Sequence, residues 1–136
     1  MLLRRQKILG QGGREAFSRY HMAPRMNILK RIGNVWKKLR RRKCLEKVIW
    51  VESRGDLPSH LGARIYVVGN EKPKWVVLDC PCRCGERIDV NLMVARLPAW
   101  EFSAMDGMVT LWPSLWMPQE QCGSHFWIEN NRITWV

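Results

Sequence analysis

Residues 75–86 read WVVLDCPCRCGE, and this stretch determines the expected fold. The apolar and aromatic residues at its start predict a β-strand, which runs directly into three cysteines spaced two residues apart. Side chains two apart on an extended chain point to the same side, so Cys80, Cys82 and Cys84 can present three sulfurs to one ligand. The pattern therefore predicts a strand that ends in part of a metal site.

A fourth ligand must come from elsewhere in the chain. Cys122 is the first candidate, and His125 is the alternative. Zinc prefers four tetrahedral sulfur or nitrogen ligands, and a closed set of this kind is structural. A catalytic zinc, with Glu86 or Asp79 acting on a bound water, is a less favoured alternative. Buried free cysteines are another, although three within five residues would be an unusual way to build an apolar core.

Length and composition limit the class of protein. The chain has 136 residues, of which 46% are hydrophobic and 26% charged, and this fits one globular domain rather than a disordered chain. No apolar run approaches the roughly 18 residues needed to cross a bilayer, so we expect no transmembrane segment. No secretory signal pattern is visible, and in a reducing compartment clustered cysteines bind metal more often than they form disulfides. We therefore expect a cytoplasmic protein.

The net charge of +11 is concentrated in the first third of the chain. Residues 1–47 hold 15 Lys and Arg against two Glu, a charge of +13, whereas residues 48–136 carry −2. Residues 1–26 show no clear period and are expected to form a flexible basic arm. Residues 27–47 place apolar residues at spacings of three and four between basic ones, which predicts a basic amphipathic helix. Residues 1–47 would suit non-specific binding to nucleic acid or to an anionic membrane surface.

Residues 48–136 are expected to form a zinc-binding, β-rich domain. Short runs of β-branched and aromatic residues between turn residues predict six or seven strands. The predicted strands are residues 48–51, 64–68, 75–78, 87–92, 108–111, 126–128 and 133–135. Together with the helix they predict an α+β fold, in which a zinc site cross-links a small, mainly antiparallel β domain.

Eight tryptophans are an unusual number for a chain of this length. Most of them are expected in the core, because each carries a large apolar area. Residues 112–118, WPSLWMP, contain two prolines and no clean period. This pattern predicts a loop that either covers the core or offers an exposed docking surface.

A hydrolytic site is a further alternative. Neighbours on an extended chain face opposite sides, so Ser124 and His125 cannot readily pair with each other. A pair would have to be assembled across the fold, from His125 or His60 with Ser114 or Ser124. The carboxylates that could orient the imidazole are Asp79, Asp89 and Asp106. No nucleophile-elbow motif marks either serine, and the simpler interpretation of Ser124 is a turn or capping hydroxyl.

The order of motifs along the chain resembles that of a known family. The motifs are CPCRCG (80–85), LPAW (97–100), DGMVTLWPS (106–114), CGSHFWI (122–128) and ITW (133–135). They resemble a family of small bacterial proteins of unknown function, usually encoded beside ubiquitin-like modifiers and their activating and conjugating enzymes. The resemblance covers roughly residues 48–136, with Arg83 standing where glycine is expected.

The resemblance implies a class of partner, namely a ubiquitin-like modifier and the enzymes that activate and conjugate it. We therefore expect first a zinc-binding adaptor or specificity factor that docks the modifier or an enzyme through residues 112–118. The second hypothesis is a hydrolase that removes the modifier, using His125 with Ser114 or Ser124. The third is a binder of nucleic acid or anionic membrane through its basic arm.

Overall fold

Two four-stranded sheets form the body of the protein, and the computed structural model describes residues 28–136. The first sheet has the order β1-β2-β3-β4, with strands Lys47–Val51, Arg64–Val68, Trp75–Asp79 and Arg87–Asn91. The second has the order β5-β6-β7-β8, with strands Glu101–Met105, Met108–Trp116, His125–Glu129 and Arg132–Trp135. Helix α1 (Ile28–Arg40) precedes them, and a short 3-10 helix (Arg54–Asp56) follows β1.

The predicted fold class is confirmed. All strand pairs in the two sheets are antiparallel except β1 with β2. One strand, β5, had not been predicted, because its sequence EFSAM has no β-branched residue and only Phe102 of it is even partly buried. The loop prediction for residues 112–118 is wrong as far as Trp116, because β6 continues to that residue.

The main core lies between the two sheets. Alternate residues of β6 and β7 point into it, among them Leu111, Leu115 and Phe126. A second apolar cluster, formed by Leu61, Tyr66, Val68 and Val77, covers the other face of the first sheet. Strands β2 and β3 are therefore buried on both faces, whereas β6 and β7 are buried on one.

The segment that follows α1 is extended and packs on the body. The helix ends at Arg40 rather than at residue 47, because the backbone of residues 41–46 finds other partners. Leu45 is buried in the main core. Backbone hydrogen bonds join this segment to the start of β8: Leu45 N–H donates to the Asn131 carbonyl and Ile133 N–H to the Lys43 carbonyl, each at 2.8 Å.

The predicted flexible arm of residues 1–26 lies outside the described residues, as does the first residue of the predicted helix. Among the helices that the structure describes, none is long and apolar enough to cross a membrane.

Candidate functional site

Four cysteines meet where a turn of the first sheet approaches a loop of the second. Cys80 directly follows β3, Cys82 and Cys84 lie in the turn before β4, and Cys122 lies in the loop between β6 and β7. Their four sulfurs lie within 4.8 Å of one another, and all four thiols are free. These four side chains are called the thiol cluster below.

The spacing of the thiol cluster fits a metal ion. Four sulfurs at about 2.3 Å from a tetrahedral zinc lie about 3.8 Å from one another. The Sγ atom of Cys80 lies 3.4 Å from that of Cys82 and 3.8 Å from that of Cys122. The cluster could therefore hold a metal ion with little movement of the chain.

Backbone geometry brings the three cysteines of the turn together. The Cys80 N–H donates to the Glu86 carbonyl at 2.8 Å, and the Arg83 N–H donates to the Cys80 carbonyl at 2.9 Å. Arg83 has a φ of 65° and Gly85 a φ of 93°. The left-handed conformation at Arg83 explains why glycine suits this position in the family that the motifs resemble.

The thiols differ in how readily they ionise. Burial raises the pKa of Cys80 far above its ordinary value and raises that of Cys84 to about 11. Burial also disfavours the Cys82 thiolate, but hydrogen bonds from Ser124, Cys84 and Cys80 outweigh it and lower the pKa of Cys82 to about 7. Cys82 therefore ionises before Cys80 and Cys84, and a bound cation would favour the thiolate forms of these two.

Basic side chains surround the exposed side of the thiol cluster. Lys37, Arg40, Arg41 and Arg83 line a cleft of about 240 Å³ together with Cys82, Cys84 and Cys122. Four thiolates around a divalent ion carry a net charge of −2, and nearby cations offset such a charge. The cleft is therefore electrostatically suited to a metal-bound tetrathiolate.

The segment that carries Cys122 sends two neighbouring side chains in opposite directions. Ser124 is 3% exposed and faces the thiol cluster, where Cys122 Sγ donates to Ser124 Oγ at 3.3 Å. The Ser124 carbonyl accepts a hydrogen bond of 2.7 Å from the Met117 N–H, which fixes the segment against the end of β6. His125 begins β7 and points to the other side, onto the outer face of the second sheet.

Ser114 and His125 meet on that outer face. Ser114 Oγ lies 2.8 Å from His125 Nε2, a hydrogen-bond distance. The two residues lie on neighbouring strands, where Trp116 pairs with His125. A bulge in β6 places residues 112–114 opposite a single residue of β7, and such bulges re-aim side chains beside active sites. The Trp100 indole N–H donates to the Ser114 carbonyl at 3.4 Å and supports this backbone.

A chain with this geometry can be compared with known families. A model of the family described as "Bacterial ubiquitination-like system serine protease (BubE)" matches residues 53–136, which is more than half of the chain. The chain belongs to this family. No curated protein and no solved structure matches it. The expected link to ubiquitin-like conjugation is confirmed at the level of the system, and α1 lies outside the matched residues.

The other catalytic candidates from the sequence lie away from Ser114 and His125 or make other hydrogen bonds and ion pairs. Asp79 accepts hydrogen bonds from the N–H groups of Leu61 and Gly62, at 3.1 and 2.9 Å. Asp89 pairs with Arg54 at 3.1 Å, and no described carboxylate pairs with His125. Asp106 lies in the β5–β6 turn, and His60 lies exposed in the loop before β2. His125 Nε2 contacts Ser114, and His125 is not part of the thiol cluster.

Aromatic side chains lie on the same face of the second sheet as the Ser114–His125 pair. Trp112 and Trp116 are 57% and 69% exposed, and the Trp116 ring lies 5.9 Å from the His125 ring. A groove of about 360 Å³ runs between Trp112 and Trp127 on the same face. We call this surface, formed by Trp112, Ser114, Trp116, His125 and Trp127, the open face.

The prediction that most tryptophans lie in the core is wrong. None of the eight, all of which lie in the described part of the chain, is buried: Trp36, Trp50, Trp112 and Trp116 are exposed. Trp100 packs against the main core with its indole N–H on the Ser114 carbonyl, and Trp127 lines the groove. Trp127 lies two residues after His125, so the alternation along β7 would have placed both on one face. No sequence signal pointed to the hydrogen bond from Trp100.

Proposed function

We propose that this protein is a serine hydrolase that cleaves the bond following a ubiquitin-like modifier, with Ser114 as nucleophile and His125 as general base. The observation that carries the proposal is the 2.8 Å contact between Ser114 Oγ and His125 Nε2. It is the contact that nucleophilic catalysis requires, because a serine hydroxyl is a weak nucleophile until a base removes its proton. The description of the family as a serine protease supports the same assignment.

The reaction follows from this contact in two steps. Ser114 Oγ attacks the scissile carbonyl carbon while His125 Nε2 takes the hydroxyl proton, and the imidazolium then gives that proton to the leaving amine. The amine departs and leaves an ester between Ser114 and the carboxyl end of the modifier. A water molecule, deprotonated by His125, hydrolyses the ester and restores the serine.

The orientation of the imidazole rests on packing rather than on a third ionised group. Within residues 28–136 no carboxylate pairs with His125. The Trp116 ring lies beside the imidazole at an interplanar angle of 31°, and the Val136 N–H donates to the His125 carbonyl at 3.0 Å. The Trp116 contact limits the movement of the ring, and the hydrogen bond from Val136 holds the backbone that carries it. A Ser-His dyad is therefore the catalytic unit that we propose.

We propose that the thiol cluster binds zinc as a structural ion. The support is a donor set of four sulfurs at tetrahedral spacing, which leaves no open position for water. Bound zinc would supply a cross-link between the two sheets. Cys122 lies three residues before His125, so the same cross-link would hold the segment that carries the general base.

We further propose that the substrate is the carboxyl-terminal segment of the modifier, bound in extended form on the open face. The groove between Trp112 and Trp127 provides apolar walls, and Thr110, Glu129 and Thr134 provide polar groups at its edge. The activating and conjugating enzymes of the same system would act on the same carboxyl end. A reduced thiol cluster fits the expected cytoplasmic location.

The experiment that tests the hydrolase measures release of the carboxyl-terminal extension from the purified ubiquitin-like modifier of the same system. Ser114→Ala and His125→Ala should each lower kcat/KM at least about a thousandfold. Ser103→Ala, an exposed serine on the neighbouring strand β5, is the matched control and should cleave at the unsubstituted rate. Metal content and thermal unfolding should be the same in all four proteins. Full cleavage by a folded Ser114→Ala protein would refute the assignment.

The adaptor remains a second candidate because Trp112 and Trp116 are exposed beside the dyad. An adaptor would bind the modifier or its enzymes through these rings without cleaving any bond. The two functions differ in one measurement. An adaptor would bind the modifier and release no product from an excess of it. Its Trp112→Ala variant would lose binding, whereas its Ser114→Ala variant would keep it.

A further inference from the structure

The apolar stripe of helix α1 is exposed and does not pack on the two sheets. Ile32, Val35, Trp36 and Leu39 follow the spacing of three and four that puts residues on one side of a helix. Their side chains are between 47% and 73% exposed. An amphipathic helix normally buries this side against its own core, so the exposed stripe needs another explanation.

The basic side of the helix, by contrast, is turned to the body. Lys37 and Arg40 line the cleft over the thiol cluster. The chain just beyond the helix is anchored there, because the Arg42 N–H donates to the Pro81 carbonyl at 2.9 Å. The Trp135 indole N–H donates to the Arg42 carbonyl at 3.0 Å, and the Arg41 guanidinium lies 4.4 Å from the centre of the Trp135 ring. This anchoring holds the stripe outward.

The charge around the stripe indicates what could cover it. Residues 28–45 contain no Asp or Glu, and Lys38 in the last turn of α1 is exposed and does not line the cleft over the thiol cluster. A duplex nucleic acid would use the cations, but its phosphate backbone offers no favourable contact to the aliphatic side chains of Ile32, Val35 and Leu39. An anionic lipid surface uses both, because apolar side chains enter the boundary between headgroups and acyl chains while lysines stay at the anionic headgroups.

We propose that α1 binds the surface of an anionic lipid membrane, with Val35, Trp36 and Leu39 inserted and Lys38 at the headgroups. The helix lies in the plane of the interface and does not cross the bilayer. Binding of this kind would bring the hydrolytic domain to conjugates at a membrane. It requires neither the thiol cluster nor the Ser114–His125 pair as a contact.

The test is co-sedimentation of the full chain with vesicles of phosphatidylcholine, with and without phosphatidylglycerol. The protein should sediment with the anionic vesicles and not with the neutral ones. A double variant, Trp36→Gln with Leu39→Gln, should lower the partition coefficient at least about tenfold, because two inserted side chains are lost. Lys38→Gln should lower it about fivefold, the effect of one basic charge near the surface.

The matched control is Val94→Gln with Met105→Gln, which also removes two exposed apolar side chains but from the body. It should bind as the unsubstituted protein does. All substituted side chains are exposed, so the variants should fold, and circular dichroism checks this. Binding of the Trp36/Leu39 variant at full strength, or failure of the unsubstituted protein to sediment with anionic vesicles, overturns the proposal.

Two other results would also overturn it by identifying another partner. Salt-sensitive binding to duplex DNA, unaffected by the Trp36/Leu39 substitutions and without vesicle binding, would assign the helix to nucleic acid. Dimerisation that the same substitutions abolish, again without vesicle binding, would assign the stripe to a second copy of the chain.

Discussion

The two sheets differ in how their outer faces are used. In the first sheet, β2 buries four of its five residues and β3 buries three, because a second apolar cluster covers the face turned away from the main core. In the second sheet, β6 and β7 alternate buried with accessible residues, and their uncovered side carries Ser114 and His125. The first sheet is therefore covered on both faces, whereas the second leaves one face open, and the thiol cluster lies where the two sheets meet.

The largest expected effect on stability comes from removing a cysteine of the thiol cluster, where the two sheets meet. Cys80→Ser removes a buried member of the thiol cluster, so we expect loss of the bound metal and a fall in the free energy of unfolding of about 3 kcal/mol or more. Cleavage should fall with it, because the segment with His125 loses its cross-link. Elemental mass spectrometry and urea unfolding measure the two effects.

Cys44→Ser is the control for this variant, because Cys44 is exposed and is not part of the cluster. It should keep both metal and stability. If Cys80→Ser and Cys44→Ser unfold at the same urea concentration, the two sheets are not joined through the thiols.

A core truncation in the first sheet should affect stability without a direct effect on chemistry. Leu78 in β3 is fully buried in the main core, and Leu78→Ala should lower the free energy of unfolding by about 2 to 5 kcal/mol. The remaining folded protein should keep its kcat. Leu97→Ala, at a residue 84% exposed, should change stability by no more than about 0.5 kcal/mol. A loss of kcat in folded Leu78→Ala protein would mean that the first sheet contributes to the chemistry.

One tryptophan substitution in each sheet tests the comparison of the two sheets through KM, with a smaller expected effect. Trp112 and Trp50 are exposed to similar extents on strands of different sheets. Trp112→Ala should raise KM about tenfold with little change in unfolding, because it removes one wall of the groove in which we propose that the substrate binds. Trp50→Ala should leave KM unchanged. Steady-state kinetics on the modifier measure both, and equal KM values for the two variants would argue against substrate binding on the open face.

Much of this arrangement could be predicted from local patterns. The two-residue spacing of Cys80, Cys82 and Cys84 gave the common direction of their sulfurs, and the alternation along β7 separated Ser124 from His125. The bulge in β6 could not be predicted, because it depends on how residues 112–114 pair with β7 and not on their own period. The choice of Ser114 as the partner of His125 depended on that pairing.

The sequence also could not show which carboxylate, if any, lies beside the His125 imidazole. Asp79, Asp89 and Asp106 were equal candidates in the sequence, whereas their positions in the fold commit the first two to other hydrogen bonds and ion pairs. Long-range pairing decided this outcome. The outward direction of the apolar stripe on α1 depends likewise on contacts near residues 41 and 42, which no helical period reveals.

The most direct test of the central claim is covalent labelling of the serine nucleophile. Unsubstituted protein treated with a fluorophosphonate, which reacts with activated serines, is digested and the labelled residue is identified by mass spectrometry. The account predicts one adduct, on Ser114, which disappears in His125→Ala. An adduct on Ser124 instead, or unlabelled Ser114 in a preparation that cleaves the modifier, would contradict it.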